Sequence, residues 1–247
     1  MRLTRVFVDA ALQAGTRVTL EGSAARHVTR VLRLRKGEAL TLFNGRGGEY
    51  AARIEATREA SVTVAVEERD SVERESPLAV TLAQGISRGE RMDLVVQKAT
   101  ELGVHSIVTL FTERSVVRLD ERQAARKLSH WRAVAIGACE QCGRNQVPEV
   151  TAPQSLREFV GHGSVAPTRL LLSPAASLRL ADLPRGPGAI TVLIGPEGGL
   201  TREEEQAAVS SGYTALGLGP RVLRTETAAL VALALLQQQF GDLSRAP

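Results

Sequence analysis

Short runs of alternating apolar and polar residues fill the first quarter of the chain. Residues 6–8, 17–20, 39–43, 49–56 and 61–66 follow this period-two pattern and predict strands. Turns such as Asn44-Gly45-Arg46-Gly47-Gly48 separate them. One stretch breaks the rhythm: between residues 23 and 34, Ala24, Val28 and Val31 recur at helical spacing and predict a helix. Short strands at close spacing with a single helix predict a small β-barrel.

After a charged stretch at 67–77 that closes on Ser76-Pro77, the pattern changes to alternating strands and helices. Strands are predicted at 78–83, 106–111, 169–172, 190–194 and 213–218. Helices are predicted at 91–102, 120–142, near 154–160 and at 225–240. The first of these helices turns Met92, Val95, Val96, Ala99 and Leu102 inward. In the second, Ala124, Leu128, Trp131, Ala135, Ala138 and Cys142 step by four, three, four, three and four, a buried stripe, and Gly143 ends it. A Pro/Gly-rich connection runs through Pro184-Arg185-Gly186-Pro187-Gly188. The change of rhythm predicts two domains, residues 1–72 and 73–247, the second an α/β domain built on a mostly parallel sheet.

Composition narrows the classes. With 247 residues and 43% hydrophobic content, the chain can build real cores. No apolar run reaches the length of a membrane span, and the start, Met1-Arg2-Leu3-Thr4-Arg5-Val6, carries no signal-peptide core, so a cytoplasmic protein is expected. Net charge is +4, and it is uneven. Residues 1–60 hold eleven Lys/Arg against six Asp/Glu, a net of +5, leaving −1 for the rest. A polyanionic partner for the small domain follows naturally.

Cys139 and Cys142 are the chain's two cysteines, and the four histidines are scattered. Four zinc ligands are not assembled in the sequence, so no metal is expected. Arg26, Arg30 and Arg33 stand at i, i+4 and i+7, with no acid between Gly22 and Gly37. They are phosphate-binding candidates, or a solvated face. Arg144 follows a helix end, where a guanidinium is not needed to complete a core, and so faces a nucleic acid, another subunit or solvent.

Two loops near the end carry most of the chemistry. Gly195-Pro196-Glu197-Gly198-Gly199 follows an apolar β-branched strand and precedes Thr201-Arg202-Glu203-Glu204-Glu205, a capped, acid-rich helix start. The segment 216–228, Leu-Gly-Leu-Gly-Pro-Arg-Val-Leu-Arg-Thr-Glu-Thr-Ala, joins a strand to the last helix. In parallel α/β proteins ligands bind at the carboxyl ends of strands, and glycines there let backbone amides come close. Either loop alone reads as an ordinary turn; two together make a pocket. Neither is a G-x-G-x-x-G or Walker phosphate motif.

The wording of these loops resembles the bacterial 16S ribosomal RNA (uracil-N3)-methyltransferase family, within the trefoil-knotted, S-adenosylmethionine-dependent RNA methyltransferases. Arg26-His27, Arg30-Val31-Leu32-Arg33, Phe43-Asn44-Gly45, Lys98-Ala99-Thr100-Glu101-Leu102-Gly103-Val104, Glu113-Arg114-Ser115 and Glu140-Gln141-Cys142-Gly143-Arg144-Asn145 resemble it too, so the likeness covers nearly the whole chain. It implies an N-terminal PUA-like RNA-binding barrel and a C-terminal trefoil-knotted sheet. It further implies methyl transfer from S-adenosylmethionine, with S-adenosylhomocysteine as product, to N3 of a uridine in the decoding region of 16S rRNA within the small ribosomal subunit, by a homodimer.

Carried onto this sequence, the resemblance implies a cofactor site of Leu172, Ser173, Ile194, Gly195, Pro196, Gly198, Gly199, Leu216, Leu218, Gly219, Val222 and Leu223. Ser173-Pro174 stands where the family writes His-Pro, so contact there would be through backbone. Arg224 is expected at the charged base or an RNA phosphate, with Glu226 or Glu197 accepting a proton if its pKa is raised; otherwise Glu226 is a first-turn acid favoured by the helix dipole and Glu197 only orders its loop. Arg5, Arg26, Arg30, Arg33, Arg144 and Arg221 are expected to hold RNA. Two other activities fit the pocket: an RNA-binding assembly protein with an inactive pocket, and a methyltransferase acting on transfer RNA or on ribose 2′-oxygen.

Overall fold

The computed structural model describes residues 4–162, 166–184, 186 and 188–244; Arg185 and Pro187 of the Pro/Gly-rich connection, and Met1 to Leu3, lie outside them. The chain divides into two compact units, Met1–Glu75 with Ile136–Val147, and Ser76–Ala135 with Pro148–Pro247. The first is discontinuous in sequence, a feature that no shift in composition marks.

In unit 1, the strands β1 (Arg5–Phe7), β2 (Arg17–Glu21), β3 (Ala39–Phe43), β4 (Glu49–Thr57) and β5 (Ser61–Asp70) form a curled sheet in the order β1-β3-β4-β5-β2. β1 and β3 are parallel and the other pairs antiparallel. Two register shifts in the β4–β5 pair, at Tyr50/Ala52 and Ile54/Ala56, bend the ladder as bulges do. Alternation sends Tyr50, Ala52 and Ile54 of β4 and Val62, Val64 and Val66 of β5 into one core with Val6, Leu20, Leu40 and Leu42. β5 runs on to Asp70, beyond the predicted end at residue 66, because pairing with β4 continues to Glu49↔Asp70 although these last residues are exposed and charged.

The helix predicted at 23–34 is corrected. Gly22–Arg26 forms α1, and His27–Val31 continues it as a π-helical turn, with the Leu32 amide donating to the His27 carbonyl at 2.9 Å. The wider turn changes the phase of the stripe: Ala25 and Val28 point into the core and Val31 is 67% exposed. Arg33 lies past the helix with φ 54°, so Arg26, Arg30 and Arg33 do not share one α-helical face.

Unit 2 is a seven-stranded parallel sheet, counted among the described residues. Its strands are β6 (Val80–Gly85), β7 (Ser106–Phe111), β8 (Glu149–Val150), β9 (Gln154–Ser155), β10 (Thr168–Leu172), β11 (Ile190–Ile194) and β12 (Thr214–Leu216). Their order is β12-β10-β11-β6-β7-β8, with β9 also on β7. The short strands β8 and β9 have no period of their own and exist by pairing with β7. Ala83, Leu193, Leu171 and Leu110 form a cluster with residues of α4 (Leu156–Gly161) and α5 (Arg202–Ser210). α6 (Thr225–Phe240) packs against α2 (Arg91–Glu101), β6 and β11.

α3 (Glu121–Cys142) begins in unit 2, and its last turns, from Ile136, belong to unit 1. Trp131, Ala135 and Ala138 are buried as the stripe predicts, but Cys139 rather than Cys142 is the buried cysteine. Burial pushes its thiol up to about 12, and neither cysteine forms a disulfide among the described residues, so Cys139 behaves as an inert core side chain. Gly143 closes the helix at φ 95°, its amide donating to the Cys139 carbonyl, a left-handed cap that a β-carbon would strain.

Candidate active site

The parallel order puts the carboxyl ends of β12, β10, β11 and β6 side by side at one edge of the sheet of unit 2. The loops that leave β10, β11 and β12 meet there. Between the β11 loop and the start of α6 lies a cleft of about 500 Å³, and a recess of about 50 Å³ adjoins it between the β10 and β12 loops. The two share Leu172, Pro174, Leu223 and Ala228.

The twelve residues of the expected cofactor site are brought together here. Leu172, Ile194, Gly195, Pro196, Gly198, Gly199, Val222 and Leu223 line the cleft, and Ser173, Leu216, Leu218 and Gly219 line the recess. Glu197, Arg224 and Glu226 also line the cleft, and Arg221 the recess. Arg91, Glu205 and Thr225 line the cleft as well, and sequence reasoning missed them.

The loops are held by the residues behind them. The Thr225 hydroxyl donates to the Gly195 carbonyl at 2.6 Å and accepts from the Gln84 amide at 2.8 Å, joining the ends of β6 and β11 to the first residue of α6. Gln84 is wholly buried, which makes this relay rigid. Gly85 is required beside it: a β-carbon there would stand 2.6 Å from the Pro196 nitrogen. Arg114 donates to the carbonyls of Gly198 and Leu200 at 3.2 and 3.1 Å, closing the far side of the β11 loop. The predicted capping box follows, with Thr201 and Glu204 exchanging hydrogen bonds, and Glu204 accepts from the Glu113 amide at 2.8 Å. The Ser173 amide donates to the Leu216 carbonyl at 3.1 Å, tying the β10 and β12 loops.

The charged groups divide into held and free. Glu197 Oε1 accepts from the Arg88 amide at 2.9 Å and from Arg91 Nη1 at 2.7 Å. Burial alone would raise its pKa, but these donors outweigh it and hold the carboxyl below the usual range. Glu197 is therefore not the raised-pKa base that was one expectation, because its partners stabilise the ionised form. Arg91 Nε also stands 3.8 Å from Glu226 Oε1. Glu226 is buried at the first turn of α6, and its Oε2 has no hydrogen-bond partner among the described residues. Arg224, the residue before α6, and Arg221 are exposed, and their side chains have no partner among the described residues. Between them Val222 is 82% exposed.

Two of the expected RNA-holding arginines are corrected. Arg5 is 6% exposed; it pairs with Glu49, donates to the Arg144 carbonyl at 3.0 Å and to Asn145 Oδ1 at 2.6 Å, and sits over the Phe43 ring. Arg144 is 5% exposed and donates through Nε and Nη2 to Glu75 Oε2. Both guanidiniums lie inside unit 1 and are not open to a phosphate. Glu49 is desolvated, yet its hydrogen bonds from Arg74 and Arg5 hold its carboxyl below the usual range. Arg26, Arg30 and Arg33 are exposed.

Among the described residues no cluster of His, Cys, Asp or Glu is placed to hold a metal ion, and no helix is long and apolar enough to cross a membrane.

The site belongs to a recognisable kind of protein. Residues 74–237 match the profile of the RNA methyltransferase domain, and residues 20–67 that of the RNA methyltransferase PUA domain. The ribosomal RNA small subunit methyltransferase E of Buchnera aphidicola is 32% identical over 98% of this chain and 99% of its own. This chain belongs to the ribosomal RNA small subunit methyltransferase E family. The Bacillus subtilis member is 30% identical over 90% of each chain. Among solved structures, a methyltransferase of Legionella pneumophila with bound S-adenosylmethionine superposes with a TM-score of 0.96 at 46% identity, over 98% of this chain and all of that one. Methyltransferase E of Neisseria gonorrhoeae, bound to S-adenosylmethionine, superposes at 0.91 with 40% identity, over 98% of this chain and all of the other. The family fold, a PUA domain and a parallel α/β methyltransferase domain, is the architecture described above.

Proposed function

We propose that this chain transfers a methyl group from S-adenosylmethionine to N3 of a uridine in the decoding region of 16S rRNA, giving 3-methyluridine. Its substrate is 16S rRNA, free or within the small ribosomal subunit, and it acts in the cytoplasm as a homodimer. The single observation that carries this reading is the cleft at the strand ends, in a fold shared by two relatives of 46% and 40% identity that bind S-adenosylmethionine.

The residues present fit that group. A volume of about 500 Å³ suits a nucleoside-sized ligand, with apolar Leu172, Ile194 and Leu223 for an adenine and the backbone of Gly195, Gly198 and Gly199 for polar contacts. When bound, S-adenosylmethionine supplies an electrophilic methyl on a sulfonium that leaves as a neutral thioether, so no metal is needed.

This chain's own residues then have two tasks. Uracil N3 carries an imino proton and attacks poorly until that proton departs, so a positioned acceptor accelerates the step. Glu226, with one carboxylate oxygen unpartnered among the described residues, takes that role. Negative charge develops on the base, and Arg224, whose guanidinium has no partner of its own among the described residues, stabilises it. Glu197 orders its loop through Arg88 and Arg91. In unit 1, exposed Arg26, Arg30 and Arg33 position the RNA backbone. The uncharged, partly exposed face of α6, with Leu230, Val231, Ala234 and Leu235, suits the homodimer contact.

Mass spectrometry of small-subunit RNA from a strain lacking the gene tests the activity. Loss of one 3-methyluridine, restored by the gene, is expected; an unchanged level overturns the assignment. Methylation of free rRNA and of intact subunits in vitro then identifies the substrate.

A further inference from the structure

We infer that Arg91 and Glu226 together select uridine over cytidine, Arg91 as a positioning residue that fixes the Glu226 carboxylate as a hydrogen-bond acceptor for an imide N–H. This rests on the methyltransferase reading and deepens it by naming how the base is chosen.

Two carboxylates of the cleft share one guanidinium. Arg91 Nη1 donates to Glu197 Oε1 at 2.7 Å, and Arg91 Nε stands 3.8 Å from Glu226 Oε1. Glu197 is anchored a second time by the Arg88 amide, so Arg91 is fixed against the β11 loop and engages Glu226 on one oxygen only. The other oxygen, Oε2, is buried and unpartnered among the described residues. A buried acceptor without a donor is costly, and the cost is recovered when a ligand supplies the missing N–H. Arg224 and Glu205 also line the cleft.

The two pyrimidines differ at the atom in question. Uracil N3 carries a proton and donates to Glu226 Oε2; the same proton passes to that oxygen as the N3 lone pair bonds to the methyl carbon and the carbon–sulfur pair leaves with sulfur. Cytosine N3 carries a lone pair instead, which a carboxylate repels and leaves unsatisfied. Selection thus combines a gained hydrogen bond for one base with a repulsive contact for the other.

The test is binding and turnover on one RNA carrying uridine or cytidine at the target position. Affinity is measured with S-adenosylhomocysteine present, beside affinity for S-adenosylmethionine and melting temperature. Wild type is expected to prefer the uridine RNA by on the order of 10-fold or more. In Glu226→Gln, whose amide can donate to cytosine N3, that preference should collapse toward unity and uridine turnover fall by about 100-fold or more. Arg91→Gln should lower both preference and turnover, and Arg91→Lys should restore part of each. Glu197→Gln, which loosens the anchor of Arg91, should raise KM for S-adenosylmethionine and lower the base preference by less than Arg91→Gln does. If Glu226→Gln misfolds, Glu226→Asp, which retracts the acceptor, should weaken the preference without inverting it. A preference unchanged in folded Glu226→Gln, or an Arg91→Gln defect confined to S-adenosylmethionine KM, overturns the inference. A wild type that methylates no uridine N3 overturns the activity itself, a separate result.

Discussion

Arginines in the two units do opposite work. In unit 1, Arg5 and Arg144 are 6% and 5% exposed and bonded to Glu49, Glu75, Asn145 and backbone carbonyls. At the cleft and its recess in unit 2, Arg224 and Arg221 reach solvent with no partner among the described residues. A buried guanidinium is retained because removing it strands its carboxylate; an exposed, unpaired one at a cleft is free to meet an anion. Charge alone therefore does not identify an RNA contact; the partners already present decide it.

Substitutions sharpen that contrast. The largest effect is expected for Arg144→Ala, which leaves Glu75 uncompensated and should cost about 3–5 kcal/mol of stability. Its check is chemical denaturation, and the turnover of molecules that remain folded should change little. Arg224→Ala should do the reverse. Turnover should drop by about 10²–10³, with S-adenosylmethionine affinity and melting temperature nearly unchanged, as single-turnover kinetics and calorimetry would register. An Arg224→Ala enzyme with full activity removes this residue from the chemistry.

Thr225→Val breaks the hydroxyl link between the Gly195 carbonyl and Gln84. A loss of about 1–3 kcal/mol is expected, seen as a raised KM for S-adenosylmethionine, while Thr225→Ser should keep most of the wild-type value. Arg30→Ala or Arg33→Ala, at exposed positions, should weaken RNA binding modestly and lower the slope of log affinity against log salt by about 1 for each phosphate that is no longer neutralised. A slope that does not move excludes that arginine from the interface.

The smallest effect concerns pH. The folded-state pKa of Glu197 is depressed, so its ion pair stabilises the β11 loop above the ordinary value of 4.5 and is lost as pH falls below it through the folded value. S-adenosylmethionine affinity followed below pH 5 should fall in wild type, and Glu197→Gln should flatten that limb.

Much of the molecule is legible in the chain. The strand at 106–111, the strand at 190–194 and the helix at 225–240 coincide with β7, β11 and α6 to the residue, because each combines a strong period with an unambiguous start and stop. The residues of both glycine loops meet in the cleft and its recess because parallel strands must end at one edge. The errors have physical causes. A stripe through Val31 assumes 3.6 residues per turn where a π-helical turn intervenes. Arg144 reads as a surface residue because nothing local announces that Glu75, sixty-nine residues earlier, waits for it. Arg91 escapes notice because its partners, Glu197 and Glu226, are more than a hundred positions away.

Local pattern alone was enough for most of the elements, the change from a β-rich to an α/β domain and the family, since periodicity, caps and loop wording are properties of neighbouring residues. Which charges are spent and which are free was settled in three dimensions. Folding provided Glu197 with two donors, left Glu226 one oxygen unpartnered among the described residues, and turned Arg5 and Arg144 inward. Pairing between charges depends on distance in space, and no pattern along the chain encodes which distant partner arrives first.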